Sequence, residues 1–250
     1  MTLAGYDHLL AAGRRLQWDD AAVDLRADAA AWPALDPALA ARVTALVAGF
    51  CVAEVAVAAH LHPFGPAAGN PSAAACFALQ AQDERRHARF FARAAAEVLG
   101  IDPDTGARAF AAPGVLALFE TDLPALADRL AAGDAALPEA VGLYHLVLEG
   151  IVFAIGQEAL LDTLTVAGVL PGVRDGLARV QGDERWHVGL GVMCLQDAGG
   201  TAEAGDVATL AARAAAAWGP DVATPERVER ALAVHARRLT VLARAGAAAR

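Results

Sequence analysis

Two long runs, Ala45–Leu61 and Val141–Leu161, are almost wholly apolar, and each is broken near its middle by a single acid, Glu54 in the first and Glu149 in the second. Neither run alternates as a half-buried strand would, and each is long enough for a core helix. Punctuation residues set the expected boundaries. Asp36-Pro37 reads as N-cap and first helical residue of a helix to about Leu61. A loop over His62–Gly69, with Pro63, Gly65 and Pro66, leads to Asn70-Pro71, which opens a helix ending at Gly100. Pro103 and Gly106 mark a turn, and a shorter pair of helices is expected at 113–121 and 123–132, divided near Pro124. Pro138 starts a helix to about Gly168, and Leu170-Pro171-Gly172 leads tightly into another that stops at Gly199-Gly200. Two more helices, 201–217 and 225–248, follow, and one from about Trp18 to Ala31 precedes the set. No low-complexity linker divides the chain, so the expectation is one all-α domain over 1–250, with its long-helix core at about 37–197.

Composition agrees with helices and removes some functions. The 250 residues suffice for a large core, and 56% are hydrophobic, with much alanine. The net charge is −9 and no basic cluster occurs, which argues against nucleic acid or an anionic membrane surface as partner. All 20 basic residues are arginine, a mark of a GC-rich genome rather than of chemistry. Cys51, Cys76 and Cys194 are widely spaced, and an odd number without an export signal fits reduced thiols in a cytoplasm. Met1–Asp20 lacks the apolar core of a signal peptide. A charge inside each apolar run favours core helices over membrane spans.

The chemistry lies in a motif that occurs twice. Residues 83–87 read Asp-Glu-Arg-Arg-His and residues 183–187 read Asp-Glu-Arg-Trp-His, so Glu84/His87 and Glu184/His187 are both Glu-x-x-His. Positions three apart share a helix face, where a carboxylate and an imidazole can grip one ion. A single such motif is common on solvated helices. Glu54, 30 residues before Glu84, and Glu149, 35 before Glu184, change that reading. Glutamate is almost never fully buried unless it is paired or bound. The order Glu, Glu-x-x-His, Glu, Glu-x-x-His on four long helices is the recipe for a dinuclear carboxylate site. The expected architecture is therefore a ferritin-like four-helix bundle with additional N- and C-terminal helices. Four carboxylates and two imidazoles suit Fe or Mn. Asp83 and Asp183 are placed to fix an imidazole of the opposite motif. His145, one turn before Glu149, is the one other histidine expected near the ligands, and Phe50, Phe90, Phe91 and Phe153 are candidates either for a tunnel wall or for plain core.

These motifs resemble the ribonucleotide reductase small-subunit superfamily and, within it, the R2-like ligand-binding oxidases, over about residues 20–197. Glu54, Glu84/His87, Glu149-Gly150 and Asp183-Glu184/His187 match the family pattern, as do Pro63-Phe64 and Leu170-Pro171-Gly172. The resemblance implies an O2-activating Mn/Fe or Fe/Fe cofactor, oxidation of a C–H bond of an apolar, fatty-acid-like ligand, an external electron donor and a homodimer. It also implies an ether crosslink between Val57, three residues after the first Glu, and Tyr144, five before the third. A radical-exporting reductase subunit is not expected. The radical tyrosine position is Phe91, and Val241–Arg250 holds no tyrosine. Gln157 stands where these oxidases usually carry tyrosine, which leaves open a biosynthetic oxygenase or N-oxygenase for another small molecule. A ferritin-like protein that stores or senses metal is the non-enzymatic alternative.

Overall fold

The computed structural model describes residues 5–199 and 204–248. The helices run α1 (Tyr6–Arg15), α2 (Arg26–Ala31), α3 (Pro37–His60), α4 (Phe64–Ala67), α5 (Pro71–Arg93), α6 (Pro113–Ala117), α7 (Leu123–Ala132), α8 (Leu137–Val141), α9 (Ala154–Ala167), α10 (Pro171–Asp197), α11 (Ala204–Ala215) and α12 (Pro225–Ala248). No strand occurs among the described residues. The all-α, ferritin-like architecture read from the sequence is the one observed. The four helices of its central bundle are α3, α5, the continuous run from α8 through α9, and α10. Around them α1 packs on α5 and α10, while α11 and α12 cover the α8–α9 run.

Two of the long helices begin as their sequences predict. The Asp36 carboxylate accepts the Ala38 and Leu39 amides at 3.0 and 3.1 Å, and the Asn70 side chain accepts those of Ser72 and Ala73 at 2.9 and 3.2 Å. A third, α10, starts differently. Leu170 precedes it in the left-handed region (φ 49°) and supplies no side-chain cap. The cap comes from outside the helix: buried Asp28 on α2 accepts the Gly172 and Val173 amides at 3.1 and 2.6 Å. Gly172 permits this approach, since a Cβ there would stand 2.2 Å from the Asp24 carbonyl. The helix that carries Glu184 and His187 is thus seated on the N-terminal segment.

The second apolar run is one continuous helix, but Gly142–Phe153 winds as a π-helix, and all of these residues are buried. Two shorter π segments, Ala94–Leu99 and Leu118–Asp122, extend α5 and join α6 to α7. Over 142–153 the wider turn is supported by Trp218, whose indole donates to the Val152 carbonyl at 2.7 Å. Gly49 and Gly156 admit that ring, because a Cβ at either would lie 2.4 Å from it.

The N-terminal expectation needs correction. The helix is α1, at Tyr6–Arg15, and only Arg26–Ala31 of the expected Trp18–Ala31 element is α-helical. Asp19 and Asp24 explain the break: their carboxylates accept the Ala21 and Arg26 amides, both at 3.0 Å, and close local turns in place of helix. The loop at 62–69 contains the one-turn α4, and the expected start of the 201–217 helix lies outside the described residues. Two helical stretches, Pro37–His60 and Leu137–Ala167, are long and apolar enough to cross a membrane, but 56% and 89% of their apolar windows are buried within the bundle.

Candidate metal centre

Glu54 comes from α3, Glu84 and His87 from α5, Glu149 from the π segment, and Glu184 and His187 from α10, and all six are buried at the middle of the bundle. They form two groups that could each hold a metal ion: Glu54, Glu84, His87 and Glu184, and Glu84, Glu149 and His187. Glu84 belongs to both. Within each group the candidate ligand atoms lie within 4.8 Å of one another. His87 Nδ1 faces Glu84 Oε2 at 3.1 Å, with Glu54 and Glu184 both at 3.8 Å. His187 Nδ1 faces Glu84 at 3.1 Å, Glu149 at 3.3 Å and Glu184 at 3.6 Å.

The other ring nitrogens point away from the cluster and cross over between motifs. His87 Nε2 meets Asp183 at 3.0 Å, and His187 Nε2 meets Asp83 at 3.3 Å. Each aspartate also receives an indole: Trp18 donates to Asp183 at 2.8 Å and Trp186 to Asp83 at 3.2 Å. The Arg86 guanidinium joins the two, donating to Asp83 at 2.6 Å and Asp183 at 2.8 Å. Gln17 completes the frame, accepting from Arg86 and donating to Asp83, both at 2.8 Å. Burial alone would lower the Arg86 pKa, but its two carboxylates outweigh burial and raise it.

On the opposite side, Tyr144 donates its hydroxyl to Glu84 Oε1 at 2.8 Å. Gln80, one turn before Glu84, donates to Glu149 at 2.8 Å and, at 3.3 Å, to Tyr144 and Glu84. The Gln80 carbonyl is held by His145 Nε2 at 3.0 Å, and burial pushes that imidazole down to about 3, so it is neutral and a donor. Val57 is buried on α3, one turn beyond Glu54. The π winding matters to this face. Five residues along an α-helix rotate a side chain about 140° past a full turn, whereas the i→i+5 bonding of a π-helix returns it to the same side. Tyr144 and Glu149 accordingly converge on Gln80.

Both carboxylate oxygens of Glu54 and of Glu184, together with Glu149 Oε2, are buried without a hydrogen-bond partner. Leaving that many acceptors unsatisfied inside a bundle is costly. Two divalent cations would satisfy them, and four carboxylates balance the charge of two such ions. The donor set fits a metal pair. Of the two readings open for the phenylalanines, the structure shows plain core: Phe50 stacks on Phe91 at 4.8 Å and meets Phe153 at 5.7 Å. A cavity of about 650 Å³ instead reaches Glu149 and Glu184 between α9, α10 and α12, walled by Leu161, Val188 and Val192 and edged by Gln157 and Arg238.

Sequence reasoning missed Gln80, Trp18, Arg86 and Arg238. Gln80 carried a signal, one turn from a motif Glu on the same face, and so did Arg86, three residues after Asp83 within the motif itself. Trp18 and Arg238 reach the site from positions that no spacing rule connects.

Without metal, the cluster holds extra protons. Burial pushes Glu54 up to about 8 and raises Glu149 and Glu184. The neighbouring imidazoles outweigh burial at Glu84 and lower it, while the carboxylates outweigh burial at both imidazoles and raise them. Ligation needs carboxylate and neutral imidazole, so metal uptake near neutral pH should release protons, and affinity should rise with pH. The same shifts set the stability of the metal-free protein. Glu54 favours the fold most below its ordinary 4.5, and that contribution disappears as pH rises through about 8. The lowered Glu84 works in the opposite sense, but its window lies below 4.5 and does not cancel this trend. Loading in weak buffer with a pH indicator checks the first expectation; uptake without acidification would exclude it.

No family model matches the chain. Solved structures of R2-like ligand-binding oxidases share its fold. A variant with an anaerobically reconstituted Mn/Fe cofactor superposes with a TM-score of 0.81 at 19% identity, covering 97% of this chain and 93% of that one. A second variant, with a non-activated Mn/Mn cofactor, gives 0.80 at 19% identity, covering 97% and 93%. A third, again anaerobically reconstituted with Mn/Fe, gives 0.74 at 22% identity, covering 96% and 82%.

Proposed function

We propose that this protein is a dimetal oxidoreductase that uses O2 to oxidise a C–H bond, in the manner of the R2-like ligand-binding oxidases whose fold it shares. The observation that carries this reading is the set of unpartnered, buried carboxylate oxygens around Glu84, flanked by two imidazoles whose outer nitrogens are already engaged. Glu54, Glu84, Glu149, Glu184, His87 and His187 would hold an Mn/Fe or Fe/Fe pair. When bound, that pair supplies the redox chemistry that activates O2.

The chain's own residues orient the ligands and hold protons. Asp183 and Asp83 accept from the Nε2 sides of His87 and His187, keeping each Nδ1 turned inward. Gln80 orients the Glu149 carboxylate, and Tyr144 keeps its phenolic proton on the Glu84 side. Tyr144 and Val57 are the pair for an ether crosslink, which would join the phenol oxygen to a side-chain carbon with loss of a hydrogen from each. Phe91, packed against Phe50, supplies no radical tyrosine, so radical export to a reductase partner is not part of this reading. We place the protein in the cytoplasm, as a homodimer that draws electrons from a separate donor. Gln157, at the cavity edge, stands where the resemblance places a tyrosine, and a biosynthetic oxygenase for another small molecule is therefore the second reading.

The test is anaerobic loading with Fe and Mn, with metal counting and optical spectra before and after O2. Two metals per chain and an O2-dependent absorption change are expected. Peptide mass spectrometry after aeration should then find the Val57 and Tyr144 peptides joined and lighter by one pair of hydrogens. Unmodified peptides after complete loading would remove the crosslink. Metal bound without any reaction with O2 would move the protein to storage or sensing.

A further inference from the structure

The long π winding of Gly142–Phe153 has no cause within its own sequence. π-Helices are rare and mostly confined to a single turn, whereas this one spans 12 residues and carries Tyr144, His145 and Glu149. What holds it comes from outside. Arg238 on α12 donates from Nη1 to the Gly150 carbonyl at 3.1 Å, and buried Trp218 donates to the Val152 carbonyl at 2.7 Å. The two carbonyls lie in the last turn of the π segment, directly after Glu149. Both approaches depend on glycine. A Cβ at residue 150 would stand 2.5 Å from that Nη1, and one at residue 156 would stand 2.4 Å from the indole. Glu149 also acts on the arginine through space: burial lowers the Arg238 pKa, and the Glu149 carboxylate opposes that shift.

Relaxation of 142–153 to α winding would turn Tyr144 and Glu149 about 140° apart around the helix, and the two would no longer converge on Gln80. The consequence falls on one metal position. Glu149 belongs to the group with Glu84 and His187, whereas Glu54, Glu84, His87 and Glu184 all come from α3, α5 and α10. We infer that Arg238 is a positioning residue for the second metal: seated on the Gly150 carbonyl, it keeps the segment in π register and Glu149 turned toward Glu84 and His187. Trp218 fastens the same turn from the end of α11. The helix α12, which supplies no ligand, thereby decides whether the centre holds one metal or two. This inference rests on the dimetal reading above.

The sign of one effect separates this role from simple electrostatics. A cation beside Glu149 repels a metal, so if its charge were all that mattered, removing it would tighten the second metal. Loss of the clamp weakens it instead. The test is calorimetric titration of the metal-free protein with Mn(II), with metal counts at saturation. The unmodified protein should take two ions per chain. Arg238→Met should weaken the second by about tenfold or more, as for other residues that orient a ligand, and leave the first unchanged. Arg238→Lys, which keeps a charge and a donor, should restore most of the loss. Gly150→Ala, which keeps the arginine but displaces it, should weaken the second ion alone. In metal-free Arg238→Met, amide hydrogen exchange should speed up over 142–153 and not in α3 or α5. A second ion bound as tightly as before or tighter in Arg238→Met, an equal loss of both ions, or no rescue by lysine would each overturn the inference. An unmodified protein that takes fewer than two ions fails the dimetal assignment and this inference with it, whereas one that takes two and ignores Arg238 fails only this inference.

Discussion

Glu84→Ala should leave the protein unable to retain either metal. Glu84 belongs to both ligand groups and lies 3.1 Å from the inner nitrogen of each imidazole, so its removal weakens both positions at once. Changing a residue that only supports a ligand typically costs about 10- to 100-fold in metal affinity, and deleting a shared ligand should exceed that. Glu184→Ala should behave similarly, because Glu184 stands between His87 and His187 at 3.8 and 3.6 Å. Metal analysis after dialysis provides the check, with circular dichroism to show that the helices persist. Full occupancy in both variants would refute the assignment of the centre.

Arg86→Leu has the largest expected effect on stability. Arg86 is 4% exposed, and its guanidinium forms the cationic link between Asp83 and Asp183, which are themselves buried. Leucine fills part of the volume but leaves two carboxylates facing each other in the core. Breaking a buried ion pair from one side costs about 3–5 kcal/mol, against a total stability of about 5–15 kcal/mol for a typical domain. The denaturant midpoint should fall accordingly. Asn or Ala at both aspartates together with Arg86→Leu should recover part of the loss, since the uncompensated charge would then be gone. An unchanged midpoint in Arg86→Leu would show that the indoles and imidazoles alone can hold the two aspartates.

How much of this was legible depended on the range of the interaction. The starts of α3 and α5 are local events, each one capping side chain followed by proline, and Asp36-Pro37 and Asn70-Pro71 announce them. The clustering of six side chains was also readable, because a buried Glu or a Glu-x-x-His pair carries its own spacing. The start of α10 was readable as a boundary but not as a mechanism: its cap is Asp28, over 140 residues away in sequence. The π winding of 142–153 left no mark in hydrophobicity, since a segment buried all round shows no face. It comes instead from tertiary partners such as Trp218 bound to the Val152 carbonyl. Trp18 was read as the start of a helix, when its indole is held outside helical structure by Asp183.

Because Asp83 serves His187 and Asp183 serves His87, neither Glu-x-x-His motif is an exchangeable cassette. A change in one is felt by the imidazole of the other, and Arg86 extends that dependence to both aspartates. Substitutions across the two motifs should therefore be strongly non-additive, with compensating changes falling a hundred positions apart. Fragments that separate α5 from α10 would each keep the residues of a half-site and lose what orients them. The two copies of the motif constitute a single structural unit.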